Sequence, residues 1–164
     1  MTTTESSIRR KKMTEFDVFY ENEEYEKDAP PSLVNRALEI AAGEILKEGT
    51  FSLSFVSEKT IQDENREYRG IDSVTDILTF ALDDGDDFFP VPGEEKEWGD
   101  ILICTAKMKE NAVEFNVPEE EELLRLLIHG LLHLSSLDHA TNDFSTEPML
   151  KNQENILQNL KKML

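Results

Sequence analysis

All three histidines of the chain lie between residues 129 and 139, in the run His129-Gly-Leu-Leu-His133-Leu-Ser-Ser-Leu-Asp138-His139. Imidazole is the commonest protein ligand for transition metals, so the first question is whether these rings can meet at one ion. An α-helix turns about 100° per residue, which puts positions four apart about 40° apart around the axis and about 6 Å along it. His129 and His133 therefore project from one helix face and can share an ion. The helix is expected to break after Ser135, so that the chain turns back and delivers His139 to the same ion. Three nitrogens leave a tetrahedral zinc with one position open to water, whose pKa the ion lowers towards about 7. A structural zinc is normally closed by a fourth ligand, usually cysteine. The single cysteine, Cys104, falls in a separate expected strand and is a poor fourth ligand. The pattern favours catalysis over structure. The competing reading, ordinary helix histidines, leaves polar rings on a leucine-rich face in need of partners.

Asp138 adjoins His139. It can accept a proton, orient a ligand imidazole or cap the turn, and the sequence leaves all three open. The spacing His-x3-His-x5-His resembles that of the metzincin proteases, which need a glutamate base directly after the first histidine. Here that position is Gly130. Peptide hydrolysis by that route lacks its proton acceptor.

The rest of the chain has to position this site. Its 164 residues suit one domain, 14–164, behind a mobile basic tail at 1–13 that carries Arg9, Arg10, Lys11 and Lys12. With 38% hydrophobic residues there is material for a core. The longest apolar run is too short to span a bilayer and the first residues carry no apolar leader, so a cytoplasmic setting without a membrane partner is expected. One cysteine excludes an internal disulfide, and Cys104 reads as a small buried hydrophobe. The formal charge of -18 argues against a protein that coats DNA or RNA nonspecifically, because phosphates are repelled at long range. It leaves room for a local basic cleft, or for RNA binding guided by a partner.

Glu15 to Tyr20 reads as a strand. Pro30-Pro31 opens a helix whose apolar positions repeat to about Leu46, with Gly49 as its stop. Phe51 to Val56 alternates and reads as a strand. Ser57 or Thr60 caps a helix that runs towards Tyr68 and ends at Gly70. Thr75 to Leu82 is expected as a central strand, 83–98 as an acidic loop and Gly99 to Thr105 as another strand. Helices are expected at about 105–115, 118–136 and 145–163. The second begins with Pro118 and Glu119 to Glu122, where acids complement the helix dipole. The outcome is an α+β fold, a mixed sheet of about four strands packed by about five helices.

The histidine run resembles the signature of the YbeY family of rRNA-maturation endoribonucleases at His129, Gly130, Leu132, His133, Leu134, Asp138 and His139. Ser136 and Leu137 depart from that signature, standing where the family usually has glycine and tyrosine. A second block, Asn65, Tyr68, Arg69, Asp72, Thr75, Asp76, Leu78 and Phe80, is also similar, as is the strand Gly99-Asp100-Ile101. The resemblance runs from about residue 15 to 160.

The resemblance implies a zincin-like active-site helix and a metal-dependent, single-strand-specific endoribonuclease. Such enzymes act in rRNA 3′-end maturation and ribosome quality control. The implied cofactor is one zinc ion per chain on His129, His133 and His139, although three imidazoles also accept other divalent transition metals. The implied partners are single-stranded RNA, in particular rRNA of the small ribosomal subunit, and ribosome-assembly proteins. The family's arginine maps onto Arg69, whose guanidinium could grip a phosphate and offset transition-state charge. An ion pair with one of the many acids is the alternative for Arg69. Thr75 and Asp76 could line the cleft or simply begin a strand. A rival function is a ribosome-assembly factor that binds rRNA with little nuclease activity of its own.

Overall fold

The computed structural model of the chain describes residues 13–82, 96–135 and 146–164. Most of the basic tail, most of the acidic loop, and Ser136, Leu137, Asp138 and His139 lie outside the described residues. Strands β1 (Thr14–Tyr20), β2 (Gly49–Val56), β3 (Ile77–Ala81) and β4 (Glu97–Cys104) form one sheet. Its order is β1-β2-β4-β3, parallel from β1 through β2 to β4, with β3 antiparallel to β4. The helices are α1 (Pro31–Ile45), α2 (Glu58–Arg69), α3 (Thr105–Phe115), α4 (Glu119–Ser135) and α5 (Thr146–Met163), with a short 3-10 turn at Glu23–Glu26. This is the expected α+β architecture. No described helix is long and apolar enough to cross a membrane.

Strand alternation divides the core between the two sheet faces. Phe51, Leu53, Phe55, Ile101 and Ile103 face α1 and α4, which bury Val34, Leu38, Leu127, Ile128 and Leu131 against them. Val56, Leu78 and Cys104 point the other way and pack with Ile61 of α2. Cys104 is thus the buried hydrophobe expected. Helix α4 lies close on the sheet because Gly130 faces it. A Cβ there would meet two atoms of Ile101 at 3.0 Å and Ile77 Cδ1 at 3.2 Å.

Two expectations need correction. Gly49 does not stop α1; the helix is capped at Leu46, and Lys47 takes the left-handed turn at φ 69°. Gly49 opens β2 instead, at φ 115°, where a side chain would collide with the Trp98 indole and the Lys96 carbonyl. The strand expected at Thr75–Leu82 is shorter and is not central. The chain returns from β3 to insert β4 beside β2, which leaves β3 at the sheet edge.

Candidate active site

That edge position borders a cleft of about 690 Å³. Its walls are β3, His129 and His133 from α4, Tyr68 and Arg69 from the end of α2, and Thr75 and Asp76 before β3. Helix α4 presents the histidines because its leucines and Ile128 claim the sheet side, so the remaining stripe opens on the cleft. The two rings stand 4.4 Å apart between centroids, edge to face at 63°. They come from one face, as the four-residue spacing predicts.

Each ring has a distinct setting. His129 Nδ1 lies 2.8 Å from Oε1 of Gln153, a buried residue of α5. His133 is held well below the usual histidine range, at about 4, by burial first and then by the positive fields of His129 and Arg69. It is therefore neutral at physiological pH, the form that binds metals. Two imidazoles one turn apart suit part of the ligand set of zinc or a similar divalent ion. Among the described residues, no group of three His, Cys, Asp or Glu side chains completes such a set. Cys104 is buried in the cluster beneath α2. A third ligand at His139, and the role of Asp138, fall outside the described residues.

Arg69 occupies the last turn of α2. Ser57 caps the start of that helix, its Oγ accepting from Thr60 N at 3.1 Å, and Gly70 ends it in the left-handed region at φ 72°. The ion-pair alternative for Arg69 is not realised among the described residues. The nearby acids Asp63 and Asp72 pair with Arg66 instead, at 3.1 and 3.5 Å. Arg69 is solvent-exposed and borders the same cleft as the histidines. Beside it, Tyr68 meets Phe80 of β3 edge-on at 5.0 Å. Thr75 and Asp76 do line the cleft. Asp76 is held there by Asn111 of α3, whose Nδ2 donates to Oδ2 at 2.9 Å.

One turn before His129, Arg125 ties α4 to α5. Its Nε and Nη2 donate to the two carboxylate oxygens of Glu154 at 2.8 and 3.1 Å. Nη1 reaches Glu122 at 2.9 Å and Nη2 reaches Glu121 at 3.1 Å. Lys161 adds a bond to Glu121 at 2.7 Å. Burial pushes the Glu122 carboxyl up, with Arg125 pulling against it, whereas Lys161 and Arg125 hold Glu121 down. Gln153, Asn111 and this clamp escape sequence reasoning. All are polar residues on helices, and only the packing of α5 and α3 brings them to the site.

Known proteins are similar to this chain over most of its length. The family model for Endoribonuclease YbeY matches residues 16–161. Endoribonuclease YbeY of Treponema denticola is 45% identical over 72% of this chain and 75% of its own. That of Clostridioides difficile is 43% identical over 66% and 70%. The solution structure of TM1509 from Thermotoga maritima is similar with a TM-score of 0.60, at 31% identity and 88% coverage of both chains. The chain belongs to the YbeY endoribonuclease family.

Proposed function

We propose that the chain is a metal-dependent endoribonuclease that cuts single-stranded RNA, with zinc as its ion. The substrate proposed is rRNA of the small ribosomal subunit, cut in 3′-end maturation and quality control in the cytoplasm. The observation that carries the reading is the meeting of His129, His133 and Arg69 at one cleft in a chain of this family. The relatives' shared description as endoribonucleases favours it over the assembly-factor alternative.

In this reading His129, His133 and His139 hold the ion, which when bound supplies Lewis acidity beside the scissile phosphate. The guanidinium of Arg69 holds a phosphate oxygen by charge-assisted hydrogen bonds and offsets charge that grows during cleavage. Tyr68, held edge-on by Phe80, offers an exposed ring beside Arg69. Asp138 assists proton transfer. A net charge of -18 opposes unaided capture of RNA, so guidance by a ribosomal or assembly protein fits the reading.

The test is cleavage of single-stranded RNA by protein purified without a metal-affinity tag, with and without chelator. Elemental analysis identifies the ion. Chelation and His129→Ala are each expected to abolish cleavage, and Arg69→Ala to lower it by about 10²–10³-fold. Full activity in both the metal-free protein and His129→Ala sinks the metal mechanism.

A further inference from the structure

We propose that Gln153 is a positioning residue for this site: it fixes His129 in the Nδ1–H tautomer and so reserves Nε2 for the metal. The inference rests on the metal reading above, and its chemistry begins with the 2.8 Å contact between His129 Nδ1 and Gln153 Oε1. An amide oxygen only accepts, so Nδ1 must carry the proton. The neutral ring then has one bare nitrogen, Nε2. Without such an acceptor a neutral imidazole can place its proton on either nitrogen. A proton on Nε2 would have to move before a metal could bind there.

The direction of the amide is itself constrained. Oxygen and nitrogen of a glutamine side chain are distinguished by their partners. Here Nε2 of Gln153 faces a carboxylate oxygen of Glu154 at 3.5 Å. Turning the amide over would set its oxygen against that carboxylate and its NH₂ against Nδ1. Glu154 cannot easily swing away, because Arg125 holds both its oxygens. A chain of constraint thus runs from Arg125 through Glu154 and the amide to the imidazole. Gln153 is only 4% exposed, so water does not readily replace the contact. Apolar packing of α5, through Leu157 and Leu160, keeps the residue in place. Hydrogen-bond partners of this kind orient ligand imidazoles, and their removal typically lowers metal affinity about 10–100-fold.

The experiment uses the full chain, stripped of metal and labelled with ¹⁵N, with the His129 ring read by long-range ¹H–¹⁵N correlation at neutral pH. The unaltered protein is expected to show a protonated Nδ1 and a bare Nε2. Gln153→Met, which keeps the side-chain length and removes the acceptor, is expected to move the ring towards the Nε2–H form. Its affinity for Zn²⁺, measured by chelator competition, is expected to fall about 10–100-fold. Gln153→Glu keeps an acceptor and is expected to retain both the tautomer and an affinity within a few-fold. An unaltered protein with Nε2–H, or Gln153→Met with unchanged tautomer and affinity, overturns the proposal. Should Gln153→Met fail to fold, loss of the Nδ1–H form in Gln153→Glu overturns it equally. Failure of the unaltered chain to bind Zn²⁺ defeats the metal reading instead. The tautomer, read without metal, keeps the two failures apart.

Discussion

Arg125, His129 and His133 follow one another at four-residue intervals along a single stripe of α4, yet their surroundings are opposite. Around Arg125 the charges are closed. One guanidinium satisfies three carboxylates, and Glu122 among them is 3% exposed. Around the histidines the neighbours are of another kind. His129 meets a neutral amide, and His133 is kept uncharged by burial and by neighbouring positive groups. The first region spends its polar groups on holding α4 to α5. The second turns its rings to the cleft. The difference teaches that one helix can carry both, provided the turn that anchors it is separate from the turns that do chemistry.

The comparison breaks most sharply at Arg125. Arg125→Met should destabilise the chain by about 3–5 kcal/mol in urea unfolding at pH 8, because Glu122 and Glu154 are left without their cation. The deficit should shrink at pH 5. Burial already raises the folded-state pKa of Glu122, so without Arg125 it takes up a proton more readily in the folded than in the unfolded chain. An equal deficit at both pH values would contradict a role for charge.

The next effect belongs to the packing of the histidine turns on the sheet. Gly130→Leu should cost roughly 1–3 kcal/mol by overpacking against Ile101 and Ile77. Most of that cost should vanish in an Ile101→Ala background, and a double-mutant cycle with no coupling would deny the contact.

The histidine turns answer to pH in the opposite sense from the Arg125 variant. In metal-free protein His133 has a folded pKa of about 4 against 6.5 when unperturbed. Between those values the unfolded chain binds a proton that the folded chain refuses. Stability is therefore complete above about pH 6.5 and is lost as pH falls towards 4, by roughly 1–3 kcal/mol. His133→Leu should flatten that part of the pH–stability curve, and a curve of unchanged slope would remove His133 as its source.

The smallest stability effect is expected at Arg69. Exposed and without a carboxylate partner among the described residues, Arg69→Ala should alter stability by less than about 0.5 kcal/mol. It should nonetheless show the large loss of cleavage expected above. A melting temperature that falls with the activity would return Arg69 to the structural side of the comparison.

Much of this was legible in the residues because the signals are local. The four-residue histidine spacing, the Glu119–Glu122 helix start and the alternation of β2 each need only a helix or strand period. The place of β3 was not legible. Its composition suits a central strand, and only pairing with a strand from beyond the acidic loop puts it at the edge. Gly49 misled for a related reason. A glycine after a helical run suggests a cap, whereas here its missing side chain makes room for Trp98, far away in sequence. For Arg69 the residues alone offer a phosphate ligand or a salt-bridge partner, and only the fold shows that Asp63 and Asp72, among the described residues, go to Arg66. Gln153 had no signal of its own, since its meaning depends on which helix α5 touches.

Gly130 also bears on what this scaffold can become. The position that carries the catalytic glutamate in metzincins is here pressed against Ile101 and Ile77. Installing that carboxylate would wedge a charged side chain between helix and sheet before it could serve any reaction. A route from this fold to peptide cleavage therefore runs first through smaller residues at 101 and 77, and single substitutions at 130 would meet a folding barrier before a catalytic one. The two hydrolase chemistries are separated on this helix by available volume as much as by the identity of one side chain.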